Sequence, residues 1–384
     1  MIGDQIGLVD VDWQRVNQAV SSIGDQIGLS HIDGQELLEE ALSTLEDEIQ
    51  SISAPSPVPV EPVSGEWYQL YFTTPHYPDD PATRVDVIEQ GLIKVINNAL
   101  RSLDIAIFEL DLDEVGDAIL AARNRGVTVR MVTDSDSLEE DETLIRLKKE
   151  GIPIVPDERG PIMHNKFVVV DEQAVWTGSW NFTVNDTFRN NNNAIYIQSS
   201  QLAQNYAAEF EEMFSQHAFG PTSPANTPNP QIQLGDTLIE TCFAPEDKCA
   251  DQLIQLINQA QQNVHFMAFS FTHDGIGQAI SNRAKAGVVV QGIFETRGSD
   301  TEHCELGRMQ KQRLDVWQDG NPYTLHHKVF IIDDQTVVLG SFNFSNNADE
   351  SNDENMLVIH NADIASQFLA EFNRVYAEAK NPPK

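Results

Sequence analysis

Cysteine is scarce in this chain of 384 residues, which contains three. Three cysteines cannot form the dense disulfide framework of small secreted domains, so the fold must be stabilised by an apolar core. Cys242 and Cys249 are close enough in sequence to form a bridge, which would leave Cys304 unpaired. We expect reduced thiols, as in a cytosolic protein, whereas an oxidised Cys242–Cys249 pair would indicate an exported one.

Long hydrophobic runs are also absent. No stretch of 18 or more apolar residues occurs, so the sequence predicts no membrane-spanning helix. The first ten residues contain neither a basic segment nor a long apolar one, and no secretory signal is therefore predicted. These absences favour a cytoplasmic location, although a processed N-terminus would leave an extracytoplasmic location open.

Basic residues are few compared with acidic ones. The chain has 24 lysines and arginines against 59 aspartates and glutamates, which gives a formal net charge of −35 at pH 7. Such a field keeps a protein soluble and weakens its long-range attraction to nucleic acid or anionic lipid. It argues against tight, sequence-specific DNA binding, but lysines in a cleft can still hold a single phosphate group.

Signatures of metal and cofactor sites are missing as well. The sequence has no Cys/His cluster with zinc-ligand spacing, no glycine-rich phosphate loop and no aspartate-rich calcium loop. We therefore predict that the protein uses no metal ion and no cofactor.

The chain does contain one signature in two copies. Every residue of the second copy follows its counterpart by 162 positions. A repeat of this length that retains reactive residue types indicates a duplicated domain whose two copies share one function. The first copy comprises His164, Lys166, Asp171, Gly178, Ser179 and Asn181, and the second comprises His326, Lys328, Asp333, Gly340, Ser341 and Asn343.

The pattern H-x-K-x4-D followed by G-S-x-N resembles the phospholipase D superfamily, and the resemblance covers most of residues 66–380. It implies a metal-independent phosphodiesterase that acts through a phosphohistidine intermediate at a site between the two halves. We favour a nuclease that hydrolyses DNA or RNA with little sequence preference. A phospholipase D or phosphatidyl transferase acting on phospholipids is the alternative, and an inactive scaffold that keeps the fold is a further one.

The residue types suit this chemistry. A phosphodiester is negatively charged and repels nucleophiles, so its hydrolysis requires positive charge and hydrogen-bond donors around phosphorus. One imidazole can attack phosphorus, and a second can protonate the leaving oxygen. By resemblance we expect His164 to be the nucleophile and His326 the general acid. The phosphate-binding groups are predicted to be Lys166, Lys328, Asn181, Asn343, Ser179 and Ser341.

Each His-x-Lys motif leads into a run of β-branched and aromatic residues, 167–170 and 329–332, which predicts a strand. Residues i and i+2 of a strand share a face, so the histidine and lysine of each copy project together. Asn165 and His327 point away, and we interpret His327 as structural. The structural residues of the motif are predicted to be Gly178, Gly340, Asp171 and Asp333, with the two aspartates as turn caps.

The copies differ at one informative position. Glu354 in the second copy corresponds to Asn192 in the first. In related proteins a carboxylate at this position orients a catalytic histidine and stabilises its charged form, which makes Glu354 a candidate catalytic residue. Asn192 can offer a hydrogen bond but no charge, so only one half retains the carboxylate. We therefore expect the two histidines to differ in basicity.

Strand–helix–strand patterns precede each motif, and helical patterns close each half. The predicted fold is α/β, with two similar phospholipase D-like halves packed about a pseudo-twofold axis, each a mixed β-sheet flanked by helices. The halves span residues 66–216 and 237–384, and a linker at 217–236 joins them. Residues 1–50 form an acidic helical arm, expected to dock on the body or on another subunit or partner, and a proline-rich linker follows at 51–65.

Overall fold

The structure is a computed structural model that describes residues 62–84 and 87–383. The acidic arm predicted at residues 1–50, together with most of the proline-rich linker, lies outside the described residues. The described residues belong to one compact unit. No helix among them is long and apolar enough to cross a bilayer.

The first half is built on a mixed sheet of eight strands. Its elements in chain order are β1 (Val63–Ser64), β2 (Tyr68–Phe72), α1 (Val87–Asn98), β3 (Ser102–Ile107), α2 (Asp113–Asn124), β4 (Thr128–Thr133), α3 (Ser135–Glu140), α4 (Glu142–Lys149), β5 (Ile154–Pro156), β6 (Lys166–Val170), β7 (Ala174–Gly178), α5 (Val184–Phe188), β8 (Asn190–Asn191), β9 (Asn193–Gln198) and α6 (Ser200–Gln216). The strand order is β1-β2-β9-β7-β6-β3-β4-β5. Strands β3, β4 and β5 pair in parallel, and the other neighbours pair antiparallel.

The second half repeats this plan. Its elements are β10 (Gln231–Leu234), β11 (Thr237–Ala244), α7 (Cys249–Gln259), β12 (Asn263–Ala268), α8 (Asp274–Lys285), β13 (Val289–Phe294), α9 (Glu305–Lys311), β14 (Asp315–Gln318), β15 (Thr324–Leu325), β16 (Lys328–Ile332), β17 (Thr336–Gly340), α10 (Asn346–Glu350), β18 (Glu354–His360) and α11 (Ala362–Lys380). The order β10-β11-β18-β17-β16-β12-β13-β14 matches the first sheet strand for strand. The duplication and the mixed sheets predicted from the sequence are confirmed.

Apolar packing explains why the two halves form one body. All five residues of β6 and of β16 are buried, because helices cover both faces of each sheet. The closing helices α6 and α11 share one core with strands of both sheets, through side chains such as Phe210 and Phe368. Burial of one such phenylalanine contributes about 1.5–3 kcal/mol relative to an exposed ring. The halves therefore share one apolar core and do not form independent domains.

Backbone contacts between the halves are reciprocal. The N–H of His164 donates to the carbonyl of Asp353 at 3.0 Å, and the N–H of His326 donates to the carbonyl of Asn191 at 3.0 Å. Beside the contact of His164 with Asp353, Met163 forms an isolated β-bridge with Asp353. Beside the contact of His326 with Asn191, strands β8 and β15 pair in parallel. Because each contact recurs with both partners exchanged between the halves, the halves are related by the predicted pseudo-twofold axis.

Two short edge strands lie in stretches that the sequence assigned to linkers. Strand β1 pairs with β2, and β10 pairs with β11, so each belongs to the sheet of its half. The alternation in Gln231-Ile232-Gln233-Leu234 buries Ile232 and leaves the two glutamines exposed. A short polar-apolar alternation of this kind is a weak signal beside the prolines that precede it. The structured second half therefore begins before residue 237.

A disulfide joins Cys242 of β11 to Cys249 at the start of α7, and Cys304 is free and buried. The prediction of reduced thiols is therefore wrong for this pair. The loop after β11 returns α7 to the strand and places the two Cα atoms 5.8 Å apart. Such bonds persist in oxidising environments, so the bridge does not support the cytoplasmic location, which stays a prediction.

Candidate active site

The two motif histidines meet in one cleft between the halves. His164 and His326 stand immediately before β6 and β16, and the backbone pairing described above brings the starts of these strands together. Both rings line a cleft of about 630 Å³, together with Asn181 and Asn343. One chain therefore brings two copies of the motif to a single site.

The ring of His164 is held by a carboxylate from the other half. Its Nδ1 lies 2.7 Å from Oε2 of Glu354, the first residue of β18. Because the carboxylate accepts, Nδ1 carries the proton and Nε2 keeps its lone pair. Burial, together with the charges of Lys166 and Lys328, holds the pKa of His164 well below its ordinary value. Burial also raises the pKa of Glu354 to about 7.

The ring of His326 is held by an amide from the first half. Its Nδ1 lies 2.9 Å from Oδ1 of Asn192. The amide orientation follows from its own contacts, because Nδ2 of Asn192 donates to the carbonyl of Asp186 at 3.1 Å. The hydroxyl of Ser179 donates to the same Oδ1 at 2.8 Å. Asn192 thus presents an oxygen to His326, as Glu354 does to His164.

A second acceptor, Asp186, contacts the same ring. Oδ2 of Asp186 lies 3.3 Å from Nδ1 of His326. This carboxylate is buried in α5, where it also accepts from the N–H of Asn181 at 2.9 Å and from Nδ2 of Asn190 at 2.6 Å. Burial opposes its ionisation, but the positive charge of His326 and these donors hold the pKa of Asp186 below its usual range. Burial lowers the pKa of His326 to about 4, against the opposing effect of Asp186.

At the position of Glu354 and Asn192 only one half has a carboxylate, but the site as a whole receives one from each half. The repeat aligns Asp186 with Ala348 and Glu354 with Asn192, so each half keeps one carboxylate at a different position. The sequence concealed Asp186 because it follows Thr183 by three residues, and Thr183 Oγ accepts from its N–H as a helix N-cap. An acid at this position is ordinarily interpreted as part of a helix start. The available signal for Asp186 was that the aligned residue of the second copy, Ala348, is not an acid.

The two motif lysines lie beneath the cleft. Lys166 Nζ donates to the carbonyl of His164 at 2.8 Å, and Lys328 Nζ donates to that of His326 at 2.8 Å. Both side chains are buried, and burial lowers the pKa of Lys166 to about 8 and that of Lys328 well below its ordinary value. Each lysine thus lies beside its histidine, as strand periodicity predicted. The two lysines together concentrate positive charge beneath the cleft.

Asn181 and Asn343 line the cleft with side-chain amides whose hydrogen-bonding atoms are not all used. Each carries a buried side-chain oxygen that has no hydrogen-bond partner among the described residues. Ser179 and Ser341 differ, because both are fully buried and accept from backbone N–H groups of β9 and β18 at 3.1 and 3.0 Å. The serine hydroxyls therefore hold the starts of the strands β9 and β18 in place, and the phosphate contact predicted for them stays a prediction.

The turn residues of the motif have structural contacts. The carboxylate of Asp171 accepts from the N–H groups of residues 100–102, and that of Asp333 accepts from residues 261–263. A Cβ at Gly178 would lie 2.3 Å from the carbonyl oxygen of Asn193, and one at Gly340 would lie 2.2 Å from its counterpart in β18. These glycines permit the strands to approach closely.

His327 points away from the cleft, as its place in the strand indicated. Its Nε2 lies 3.1 Å from Oε1 of Glu371 in α11, and its Nδ1 lies 2.8 Å from the amide nitrogen of Asn193. The corresponding Asn165 accepts from Asn355 at 2.8 Å. Both residues therefore bind the other half instead of a substrate.

The two sides of the cleft differ in charge. Three acids of the first half, Glu109, Asp111 and Asp141, form what we call the acidic lip. The second half contributes the exposed Arg297 and the partly exposed ring of Phe269. The aromatic residues that follow the motifs do not form an apolar rim, because all four are buried in the cores of the halves: Trp180, Phe182, Phe342 and Phe344.

Comparison with known proteins identifies the family. The model described as "Cardiolipin synthase, PLD-like domain" matches the chain twice, at residues 92–214 and 253–376. The chain therefore belongs to the phospholipase D superfamily and is a phosphodiesterase of that group.

Several relatives carry related names. A phospholipase D of Rickettsia bellii (strain RML369-C) is 30% identical over 151 residues, which are 38% of this chain and 75% of the relative. A mitochondrial cardiolipin hydrolase of Xenopus tropicalis is 31% identical over 165 residues, 42% of this chain and 75% of that protein. The phosphatidylserine synthase of Haemophilus influenzae Rd KW20 has a TM-score of 0.59 at 13% identity and covers 87% of this chain and 91% of its own, which shows the fold alone.

Proposed function

We propose that the protein is a metal-independent phosphodiesterase that acts through a phosphohistidine intermediate on His164. The observation that carries this proposal is the pair of histidines in one cleft, each with Nδ1 held by an acceptor from the opposite half. Because Nδ1 of each ring is engaged, Nε2 is the nitrogen left for chemistry, and both rings line the cleft. That arrangement provides one nucleophile and one proton donor for the same phosphorus atom.

In the first step, Nε2 of His164 attacks phosphorus and forms a P–N bond. The bond from phosphorus to the leaving alcohol oxygen breaks, and His326 transfers its proton to that oxygen. Asp186 suits this role for His326, because an ionised carboxylate beside the ring stabilises the imidazolium form. His164 is the neutral partner, because burial, followed by the charges of Lys166 and Lys328, disfavours its protonation.

In the second step, water attacks the phosphorylated His164. The neutral His326 accepts a proton from that water, the P–N bond breaks, and a phosphomonoester is released. The buried ammonium groups of Lys166 and Lys328 stabilise the charge that develops on the phosphoryl oxygens in both steps. Asn181 and Asn343 lie in the cleft wall, and their Nδ2 groups can donate to those oxygens.

The charges around the cleft bear on the substrate. The sequence favoured nucleic acid, but a polyanion would have to pass the acidic lip of Glu109, Asp111 and Asp141 in a chain of net charge −35. A phosphodiester with a small amino-alcohol group would meet opposite charge there. We therefore propose a phospholipid with a cationic head group as the substrate. The names of the relatives agree with a phospholipid but do not specify a cationic head group.

A substrate panel assayed in excess EDTA tests this proposal. It should contain phosphatidylcholine, phosphatidylethanolamine, phosphatidylglycerol and cardiolipin in mixed micelles, with single-stranded DNA, duplex DNA and RNA in parallel. We expect head-group release from the first two lipids, no loss of rate in EDTA, and no turnover by His164→Ala. Cleavage of nucleic acid with inert lipids would establish the nuclease instead, and activity that requires Mg²⁺ would contradict the mechanism.

A further inference from the structure

Three glutamates meet away from the catalytic cleft. Glu209 and Glu212 lie on α6 of the first half, and Glu246 follows β11 of the second half. One carboxylate oxygen of each residue lies within 4.8 Å of those of the other two. The cluster therefore spans the contact between the halves.

The cluster lacks compensating positive charge. Glu209 and Glu212 are each only 3% exposed. Among residues 62–84 and 87–383, no lysine, arginine or histidine forms an ion pair with any of the three. The charges that act on Glu209 come from Glu246, Glu212 and Asp353, all of them acids. Buried carboxylates in such surroundings require either protons or a bound cation.

Unsatisfied oxygens favour a cation. Oε2 of Glu212 and Oε2 of Glu246 are both buried and have no hydrogen-bond partner in the described part of the chain. The two oxygens of a carboxylate are bonded to one carbon, so each unpaired oxygen lies within the cluster that the three carboxylates form. Asn226 donates to the carboxylate of Glu212 and a backbone N–H donates to that of Glu246, but among the described residues one buried oxygen of each stays unpaired. Buried polar atoms are nearly always paired, so these two oxygens call for an electropositive ligand.

The dimensions fit one ion. Oxygen ligands lie about 2.3–2.6 Å from Ca²⁺, so two ligands on opposite sides of the ion are about 4.6–5.2 Å apart. The glutamate oxygens all lie within 4.8 Å of one another, so none of their separations exceeds the span across one Ca²⁺. Mg²⁺ demands shorter bonds and stricter octahedral geometry, which three protein carboxylates satisfy less readily.

We propose that Glu209, Glu212 and Glu246 bind a divalent cation, Ca²⁺ in preference to Mg²⁺, which clamps the two halves together. Sequence motifs do not reveal this site, because its ligands follow none of the known calcium-loop spacings. The site is independent of the proposed catalytic chemistry. Chelation should therefore lower thermal stability while the rate of the folded enzyme is unchanged.

The full-length chain, stripped with EDTA and dialysed at pH 8, provides the test. Calorimetric titration should show one Ca²⁺ bound per chain. The Tm should rise by about 3–6 °C when free Ca²⁺ is about a hundred times its dissociation constant. Burial raises the pKa of Glu212 and of Glu246 to about 7, with Asp247 nearby acting in the same direction, so protons should compete and binding should weaken at pH 6.

Two variants separate this site from general effects of charge. Glu212→Gln removes a ligand charge, keeps the side-chain shape and relieves repulsion, so the variant should fold yet lose the Ca²⁺ response. Asp251→Asn removes an exposed carboxylate on α7 and should respond like the parent. Equal Ca²⁺ affinity in Glu212→Gln would overturn the proposal. So would a parent whose Tm falls as pH rises through about 7 and ignores Ca²⁺, Mg²⁺ and Mn²⁺, because protons would then occupy the cluster.

Discussion

The two halves of this molecule share strand order and motif spacing, yet they hold their partner's histidine differently. The second half presents Glu354 to His164 from the start of β18. The first half presents Asn192 from the equivalent position and adds Asp186 from α5. Each half thus retains one carboxylate, although the two carboxylates do not occupy equivalent positions of the repeat. A duplicated site has kept the electrostatic contact and changed the residue that makes it.

The difference also bears on the chemical roles proposed for the two histidines. Glu354 has a pKa raised by burial to about 7, whereas Asp186 has one lowered below its usual range by His326 and its other donors. The firmly ionised acid therefore stands beside His326, where it favours protonation, and the weaker acid stands beside His164. This difference supports the proposal that His164 is the nucleophile and His326 is the general acid.

The largest effects are expected from removing either histidine. With a natural substrate, His164→Ala and His326→Ala should each lower kcat by about 10⁴-fold or more. With bis(p-nitrophenyl) phosphate, whose leaving group needs no proton, His326→Ala should release a burst of p-nitrophenol and then stall, because no base activates water. His164→Ala should show no burst. A burst in His164→Ala alone would reverse the assignment.

Mixing the two histidine variants tests whether one chain holds one complete site. Both motif copies line the same cleft, so an equimolar mixture should stay inactive. The mixture should be assayed after unfolding and refolding together as well as directly. Recovered activity would mean that halves from different chains build the site.

The next largest loss of activity is expected from replacing Glu354, the carboxylate that holds the proposed nucleophile His164. Glu354→Gln should lower kcat by about 10²-fold, in the range expected when a catalytic histidine loses its orienting charge. Asn192→Ala should cost clearly less, because it removes no charge and leaves Asp186 beside His326. Steady-state kinetics of both purified variants, with circular dichroism to verify folding, make the comparison. Near-parental activity of Glu354→Gln beside an inactive Asn192→Ala would contradict the scheme.

Asp186 should matter through the protonation of His326. Asp186→Asn removes the charge that stabilises the imidazolium, so the pKa of His326 should fall further. The basic limb of the kcat/KM profile should then move to lower pH, with a loss of about tenfold.

The double variant Asp186→Ala, Asn192→Glu gives the first half the residues of the second. It should recover part of the activity that Asp186→Ala loses. A profile unchanged by Asp186→Asn would show that the carboxylate acts only in the capping of α5.

The smallest effects are expected at the acidic lip. Asp111→Asn and Asp141→Asn keep acceptors for the N–H groups of residues 184 and 110 but remove charge. Each should raise KM for phosphatidylcholine by about twofold to fivefold and leave phosphatidylglycerol unaffected or improved. High salt should reduce the difference. An equal effect on both lipids would remove the charge argument for an amino-alcohol head group.

The sequence predicted the architecture well because the duplicated motif fixes both strand positions and chemistry. It identified His164 and His326, which the structure brings to one cleft, and the two lysines, each of which donates to the backbone of its histidine. It missed Asp186, because a local pattern typical of a helix N-cap hid a contact made across the interface between the halves. Burial of the serine hydroxyls and the bridge between Cys242 and Cys249 likewise depend on three-dimensional packing, which spacing alone does not encode.

The central claim is that phosphorus becomes bonded to His164 without a metal ion. His326→Ala, mixed with substrate in EDTA and quenched within its burst, should accumulate that adduct because the second step is blocked. Proteolysis and mass spectrometry under alkaline conditions should then locate a phosphoryl group, with its remaining ester substituent, on the peptide that contains His164. An adduct on another residue, or none in a variant that shows the burst, would contradict the account.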